Sequence, residues 1–289
     1  MSAKRVLQAD EQLRLRADLQ AATLAALMAS RSWEPGDLAF QGGTCLNLAY
    51  GSARFSEDLD FMIRGGLSLD GLAGEIKRRL RLPPDTPADL AISITALRDD
   101  KNPHAFTVTL AGPQVVGSAK VKVKLYQTSS ALMDSLQIMV STITTPAGLQ
   151  TFVPSATLDE ILADKVYALG ARERLKPRDV FDLWWLMQRN PKPRLDPGKL
   201  CARLSIYPRG DGSASATARL WLKDAQIRVR ATGAQATVKT VEGDLKRWLP
   251  SSWPMNEGEA SRMLAAAVVQ LEEGISIIQA FEAGCAAAA

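Results

Sequence analysis

Residues 40–63 read FQGGTCLNLAYGSARFSEDLDFMI, and the fold turns on how this stretch is parsed. LAFQGG, residues 38–43, predicts a short apolar strand running into a glycine turn. Residues 44–50 fit a helix start with Thr44 at the N-cap, and GSARFSE reads as a loop. DLDFMI alternates with period two: Leu59, Phe61 and Ile63 share one face, Asp58, Asp60 and Met62 the other. Asp58 and Asp60 therefore point to the same side of one strand, with Cβ atoms about 7 Å apart.

That spacing carries chemistry. Two carboxylates buried together repel, and their pKa values rise unless a cation compensates. Mg²⁺ suits the arrangement, because it is typically held by one or two carboxylates plus substrate phosphates. Gly42, Gly43 and the helix start offer main-chain N–H groups and a positive dipole end to a phosphate. A lone Asp-x-Asp is common on surface strands and a lone Gly-Gly is a turn. Strand, Gly-Gly-Thr, short helix, Gly-Ser loop and Asp-Leu-Asp in that order are far more specific, and point to metal-assisted phosphoryl or nucleotidyl transfer.

Outward from this stretch the chain reads as two lobes. Its 289 residues suffice for one large domain or two ordinary ones. Residues 9–30 have the spacing of an amphipathic helix and residues 69–82 suggest another, stopped by Pro83-Pro84. LAISITALRD, HAFTVTLAG and SAKVKVKLYQ alternate as strands, and Thr142 to Pro154 reads as an extended or turn-rich piece. From Thr157 the pattern is helical. Thr157 and Glu160 form a capping-box pair, KPRDVFDLWWLMQRN restarts a helix, and residues 257–284 form a last one before a frayed end. Residues 196–253 mix turn signals with weak alternation and carry no clear assignment. The expected organisation is α/β (α+β): a mixed sheet with helices over 1–150, and a mainly helical lobe over 151–289.

Composition narrows the classes. The single histidine, His104, leaves no material for Ser-His-Asp catalysis, His-rich zinc sites or an HExxH motif. Cys45, Cys201 and Cys285 are odd in number and form no CxxC pair, as expected of reduced thiols in a cytoplasmic protein. The first twenty residues lack the apolar core of a signal peptide, and no apolar run of roughly 18–20 residues predicts a membrane span. A net charge of +4 fits a polyanionic partner such as a nucleotide or RNA without demanding one.

The stretch resembles motif I of the polymerase-β-type nucleotidyltransferases, and more narrowly the AbiEii/AbiGii toxin family. Gly42, Gly43, Thr44, Leu46, Tyr50, Gly51, Arg54, Ser56, Asp58, Leu59, Asp60 and Phe61 carry the likeness. ILADKVYALGARERLKPRDVFDLWWL, residues 161–186, resembles the family's second cluster. The resemblance implies a nucleotidyltransferase toxin of a type IV-like toxin–antitoxin pair. It would move a nucleotide from an NTP to an RNA acceptor such as the 3′ end of tRNA, with a cognate antitoxin as partner. Asp58 and Asp60 would be catalytic and hold Mg²⁺. Gly42, Gly43, Thr44, Arg54, Ser56 and Lys165 would bind the nucleotide, and Lys165 and Asp179 would join the catalytic set. Without the family match, Lys165 reads equally as a solvated lysine, and Asp179 as a helix N-terminal acid stabilised by the dipole after Pro177.

One departure stands out. The family tends to carry a third acid after a lysine on a later strand. In VKVKL, residues 121–125, Lys122 fits the lysine and Lys124 stands where the acid belongs. The base is then open, with Asp179 a candidate. Two alternatives follow: a nucleotide- or RNA-binding module of the same fold without turnover, and a small-molecule nucleotidyltransferase of the antibiotic-modifying kind.

Overall fold

A computed structural model describes residues 4–96, 104–145, 148, 150–232 and 234–287. The chain divides into two compact units: residues 1–51 with 56–156, and residues 52–55 with 157–289. The boundary falls after Ala156, later than the sequence suggested, because the last strand completes the sheet of the first unit.

The first unit contains β1 (Arg5–Val6), α1 (Ala9–Ala29), β2 (Leu38–Gln41), α2 (Gly42–Leu48), β3 (Asp58–Arg64), α3 (Leu72–Arg79), β4 (Ala91–Ala96), β5 (Phe106–Ala111), β6 (Val115–Val116), β7 (Ala119–Thr128), α4 (Ser130–Ser135), β8 (Ile138–Thr144) and β9 (Gln150–Ala156). Seven strands form one sheet in the order β4-β5-β7-β3-β2-β9-β8, and β1 pairs with β6 in a second, two-stranded sheet. The large sheet is mixed: β3–β7 and β2–β9 are parallel, the other pairs antiparallel. The expected strand over LAISITALRD ends at Ala96, and its remainder lies outside the described residues. The turn-rich piece near Thr142 is the β8–β9 hairpin; residues 146, 147 and 149 of its connection lie outside them too.

Alternation decides which face is packed. Leu59, Phe61 and Ile63 of β3 and Val121, Val123 and Leu125 of β7 are buried on the face that α1 covers with Leu15, Leu19, Leu24 and Leu27, also buried. Each such side chain contributes roughly 1.5–3 kcal/mol by leaving water. Phe40 of β2 stacks on Phe61 with ring centroids 5.0 Å apart. With Leu59, Phe61 and Ile63 committed to this face, β3 turns Asp58 and Asp60 to the other, together with buried Met62.

The second unit is helical: α5 (Leu158–Ala171), α6 (Pro177–Met187), α7 (Pro197–Ile206), α8 (Ala214–Thr232), α9 (Gln235–Leu245) and α10 (Glu257–Ala287). The segment 196–253, which carries no clear assignment in sequence, is thus largely helical. The buried positions of α8 are Thr217, Ala218, Trp221, Ala225 and Thr232. They keep helical spacing but are mostly small or hydroxylated, so the stripe is faint in hydropathy. Helices α5 and α8 approach closely at Gly170, where an added Cβ would lie 2.5 Å from the Trp221 ring. Trp221 is fully buried and its indole N–H donates to the Tyr167 carbonyl at 2.8 Å. The capping box does not form. Thr157 is the N-cap of α5, but its hydroxyl is buried with no partner among the described residues. The Glu160 carboxylate accepts instead from Arg203 at 2.7 Å and Lys199 at 2.9 Å. Glu257–Cys285 within α10 is long and apolar enough to cross a membrane by length and composition. In this structure α10 packs against each of the other five helices.

Candidate active site

The first-unit site is built by β2, α2, β3 and β7. Gly42 turns the chain from β2 straight into α2 with φ +79°. A Cβ there would lie 3.0 Å from Asp60 Oδ2, so glycine is required by both conformation and space. Helix α2 starts at Gly42 with Gln41 as N-cap, so Thr44 lies inside it rather than at the cap. The Thr44 hydroxyl is buried and donates to the main-chain carbonyl of Asp58, tying α2 to the start of β3. Gly43 is buried in the same helix. Ser56 is half-buried just ahead of β3, and its carbonyl accepts from Gln20 at 2.7 Å.

Asp58 and Asp60 stand on the face opposite α1, each with about a quarter of its side chain exposed (27% and 25%). The parallel register sets Asp58 beside Lys122 and Asp60 beside Lys124. The Lys124 ammonium lies 2.5 Å from Asp58 Oδ2 and 3.9 Å from Asp60 Oδ1. Burial works against its charge, but Asp60 and Asp58 outweigh that and raise its pKa, so it is a cation at neutral pH. The lysine at the third-acid position thus places positive charge on the carboxylate pair. On the same face of β7, Lys120 and Lys122 are exposed.

The donor chemistry fits a hard divalent cation. Two carboxylates converge on a point that already attracts an ammonium, and substrate phosphates would have to supply further oxygens. Among the described residues no group of three or more His, Cys, Asp or Glu converges as a metal site.

The second unit holds the other predicted residues in a five-membered charge cluster. Lys165 Nζ lies 2.9 Å from Asp179 Oδ1 and 2.7 Å from Asp182 Oδ2. Arg172 pairs with the other Asp179 oxygen. Arg54, expected to face a triphosphate, points instead into this cluster. It is 2% exposed and grips Asp182 through Nε at 2.7 Å and Nη2 at 2.8 Å, while Nη1 donates to the Phe55 carbonyl at 2.7 Å. A guanidinium matches a carboxylate with two parallel bonds, and burial is tolerated because the fork is filled.

Burial pushes the Asp179 and Asp182 carboxyls upward, but the facing cations overcome it: Lys165 and Arg172 for Asp179, Arg54 and Lys165 for Asp182. Both therefore sit below the ordinary carboxylate range. Burial likewise opposes the Lys165 charge, and Asp179 and Asp182 reverse the balance and raise its pKa. The members that sequence reasoning missed are Arg54 as a partner here and Asp182 as its fully buried anchor. The i, i+3 spacing of Asp179 and Asp182 was the available signal. Beside the cluster, Phe181, Trp184 and Trp253 pack with centroids 5.6–6.0 Å apart.

A mixed sheet with a carboxylate pair on its central strand, one short helix and a loop after a Gly-Gly strand-to-helix turn, is the arrangement expected of a nucleotidyltransferase. Residues 24–237 match the family described as "Nucleotidyl transferase AbiEii toxin, Type IV TA system". The chain belongs to that family: it is a nucleotidyltransferase toxin of the type IV toxin–antitoxin class, which implies an antitoxin partner, a nucleotide substrate and a divalent metal. Among solved structures, MenT4, a nucleotidyltransferase toxin from Mycobacterium tuberculosis H37Rv, shares the fold at a TM-score of 0.53 and 16% identity, covering 94% of this chain and 86% of its own. JHP933 from Helicobacter pylori aligns at a TM-score of 0.48 and 19% identity, covering 94% and 97% respectively. No curated protein matches the sequence.

Proposed function

We propose that the protein transfers a nucleotide from an NTP to a hydroxyl of an RNA acceptor, with the 3′ end of tRNA as the expected target, using Mg²⁺ held by Asp58 and Asp60. The observation that carries this reading is the same-face carboxylate pair of Asp58 and Asp60 on β3. When bound, Mg²⁺ supplies charge neutralisation at the triphosphate. The chain's own residues do the rest. Gly42 and Gly43 bring main-chain N–H groups to the turn ahead of Asp58, Thr44 ties α2 to β3, and Ser56 is a further proposed nucleotide contact.

In the second unit, Lys165 is the proposed phosphate contact. Two of its three N–H donors are committed to Asp179 and Asp182. Asp179, with both oxygens on cations, acts by orienting Lys165. The acceptor oxygen bonds to the α-phosphorus, the bond from that phosphorus to the β-bridging oxygen breaks, and pyrophosphate leaves with the electron pair. The hydroxyl proton passes to the medium. Exposed Lys120 and Lys122, on the strand beside Asp58, give a polyanionic acceptor matching charge.

Incubation with each labelled NTP, Mg²⁺ and total tRNA tests the reading. Label should appear in RNA, and Asp58→Ala or Asp60→Ala should abolish it. Label on an added aminoglycoside but not on RNA would overturn the RNA acceptor. A second reading is favoured by Lys124 at the third-acid position: a nucleotide binder without turnover. NTP binding with no labelled product in any arm would establish it.

A further inference from the structure

Nothing in the nucleotidyl-transfer reading requires a lysine on the carboxylate pair. A spectator lysine on an open sheet face would extend into solvent, as Lys120 and Lys122 do. Lys124 instead curls onto the acids, with 24% of its side chain exposed and its ammonium within 4 Å of both. Its main chain is held there by the parallel β3–β7 register, which sets it beside Asp60. Asp60 in turn is closed in from the far side by Gly42, with no room for a side chain.

We propose that Lys124 is a resident counter-cation that competes with the divalent metal for Asp58 and Asp60, so that metal is admitted together with the nucleotide rather than ahead of it. This rests on the metal role of Asp58 and Asp60 proposed above. With Lys124 in place the three groups carry one net negative charge; without it they carry two. A metal arriving alone gains two carboxylates but must displace an ammonium 2.5 Å from one of them. A metal arriving on a triphosphate brings anionic oxygens of its own, which can also take up the displaced ammonium. An ammonium within 4 Å of both carboxylates repels an arriving divalent cation and has to be moved before both carboxylates can turn to the metal. Lys124 is a positioning residue in this scheme and makes no bond to the reacting atoms.

The test reads metal binding directly, by Mn²⁺ electron paramagnetic resonance titration of the full chain, with and without a non-hydrolysable NTP analogue. Lys124→Met keeps the aliphatic stem and removes the charge; Lys124→Gln serves if Met disturbs folding, and circular dichroism checks both. Either variant should bind Mn²⁺ alone about tenfold or more tightly than the parent protein. The parent should gain affinity on adding the analogue by more than the variant does. Adding Asp58→Asn and Asp60→Asn should remove the gain. Equal Mn²⁺ affinity in parent and variant, with both dependent on the carboxylates, would overturn the counter-cation role and leave the metal site standing. Mn²⁺ binding independent of Asp58 and Asp60 throughout would overturn the metal site and this proposal with it.

Discussion

Arg54 and Asp182, 128 residues apart in sequence, meet through two side-chain hydrogen bonds of 2.7 and 2.8 Å in a fully buried setting. Removing one partner strands the other. Asp182→Ala should therefore cost about 3–5 kcal/mol of stability, while Arg54→Met combined with Asp182→Leu should lie closer to the parent protein. Arg54→Lys cannot reproduce the fork and should destabilise as well. Urea denaturation followed by far-ultraviolet circular dichroism measures all four chains.

Gly42 faces a different constraint. Gly42→Ala combines a left-handed backbone with a Cβ 3.0 Å from Asp60 Oδ2. We expect a loss of about 1–2 kcal/mol from the backbone alone, and a fall in transfer activity larger than the stability loss explains, because Asp60 is pushed from its place. Thermal melts alongside the labelled-NTP assay separate the two effects.

The Lys165 cluster sets a pH dependence whose sign follows from its shifts. Asp179 and Asp182 have lowered folded-state pKa values, so their stabilisation is complete above the unfolded value of about 3.9 and is lost as pH falls through the lower folded ones. Lys165 is raised, so its contribution is complete below about 10.4 and is lost as pH rises through the higher folded value. Melting temperature should fall at both ends of that window. Asp179→Asn should flatten the acid limb, measurable by melts between pH 2 and 6 (roughly two units either side of the unfolded value).

Asp179 also separates orientation from proton transfer. A carboxylate held below its ordinary range with both oxygens on cations is a poor base at neutral pH. Asp179→Asn should lower transfer mainly through weaker NTP binding and leave the pH–rate profile unshifted. Asp58→Asn should reduce turnover about a hundredfold or more. A profile that moves in Asp179→Asn would restore its candidacy as base.

Lys120 and Lys122 test the acceptor. Alanine at both should weaken RNA binding and reduce the log–log salt slope by about 1 to 2, with NTP binding unaffected. Filter binding across a salt series reads this out.

How much of this was legible in the sequence depends on whether the signal was local. The strand at Asp58–Arg64 is written in its own periodicity, and the structure follows it; the helix at Ala9–Ala29 forms where expected, but it is buried all round from Asp18 to Leu24 rather than along one stripe. The departure at Lys124 could also be seen in sequence, because β7 alternates cleanly. That its ammonium reaches Asp58 could not, since the β3–β7 register is a tertiary fact. The same limit explains Arg54. Beside Asp58 in sequence it resembles a phosphate ligand, and only a partner 128 residues away turns it inward. Glu160 fits a capping box by spacing but is taken by Arg203 and Lys199, stronger charged partners supplied by another helix. The β9 strand was obscured by Pro154, which lacks an N–H yet lies within a strand paired on both sides.

The division of the chain has a genetic consequence. Residues 52–55 count with the second unit, although the segments before and after them belong to the first. No single stop codon therefore separates the units cleanly. A gene cut after codon 156 encodes the whole sheet with its two aspartates, but also a guanidinium whose carboxylate is never translated. A frameshift between codons 156 and 182 should then silence the toxin by misfolding, even where every residue of the aspartate strand is intact.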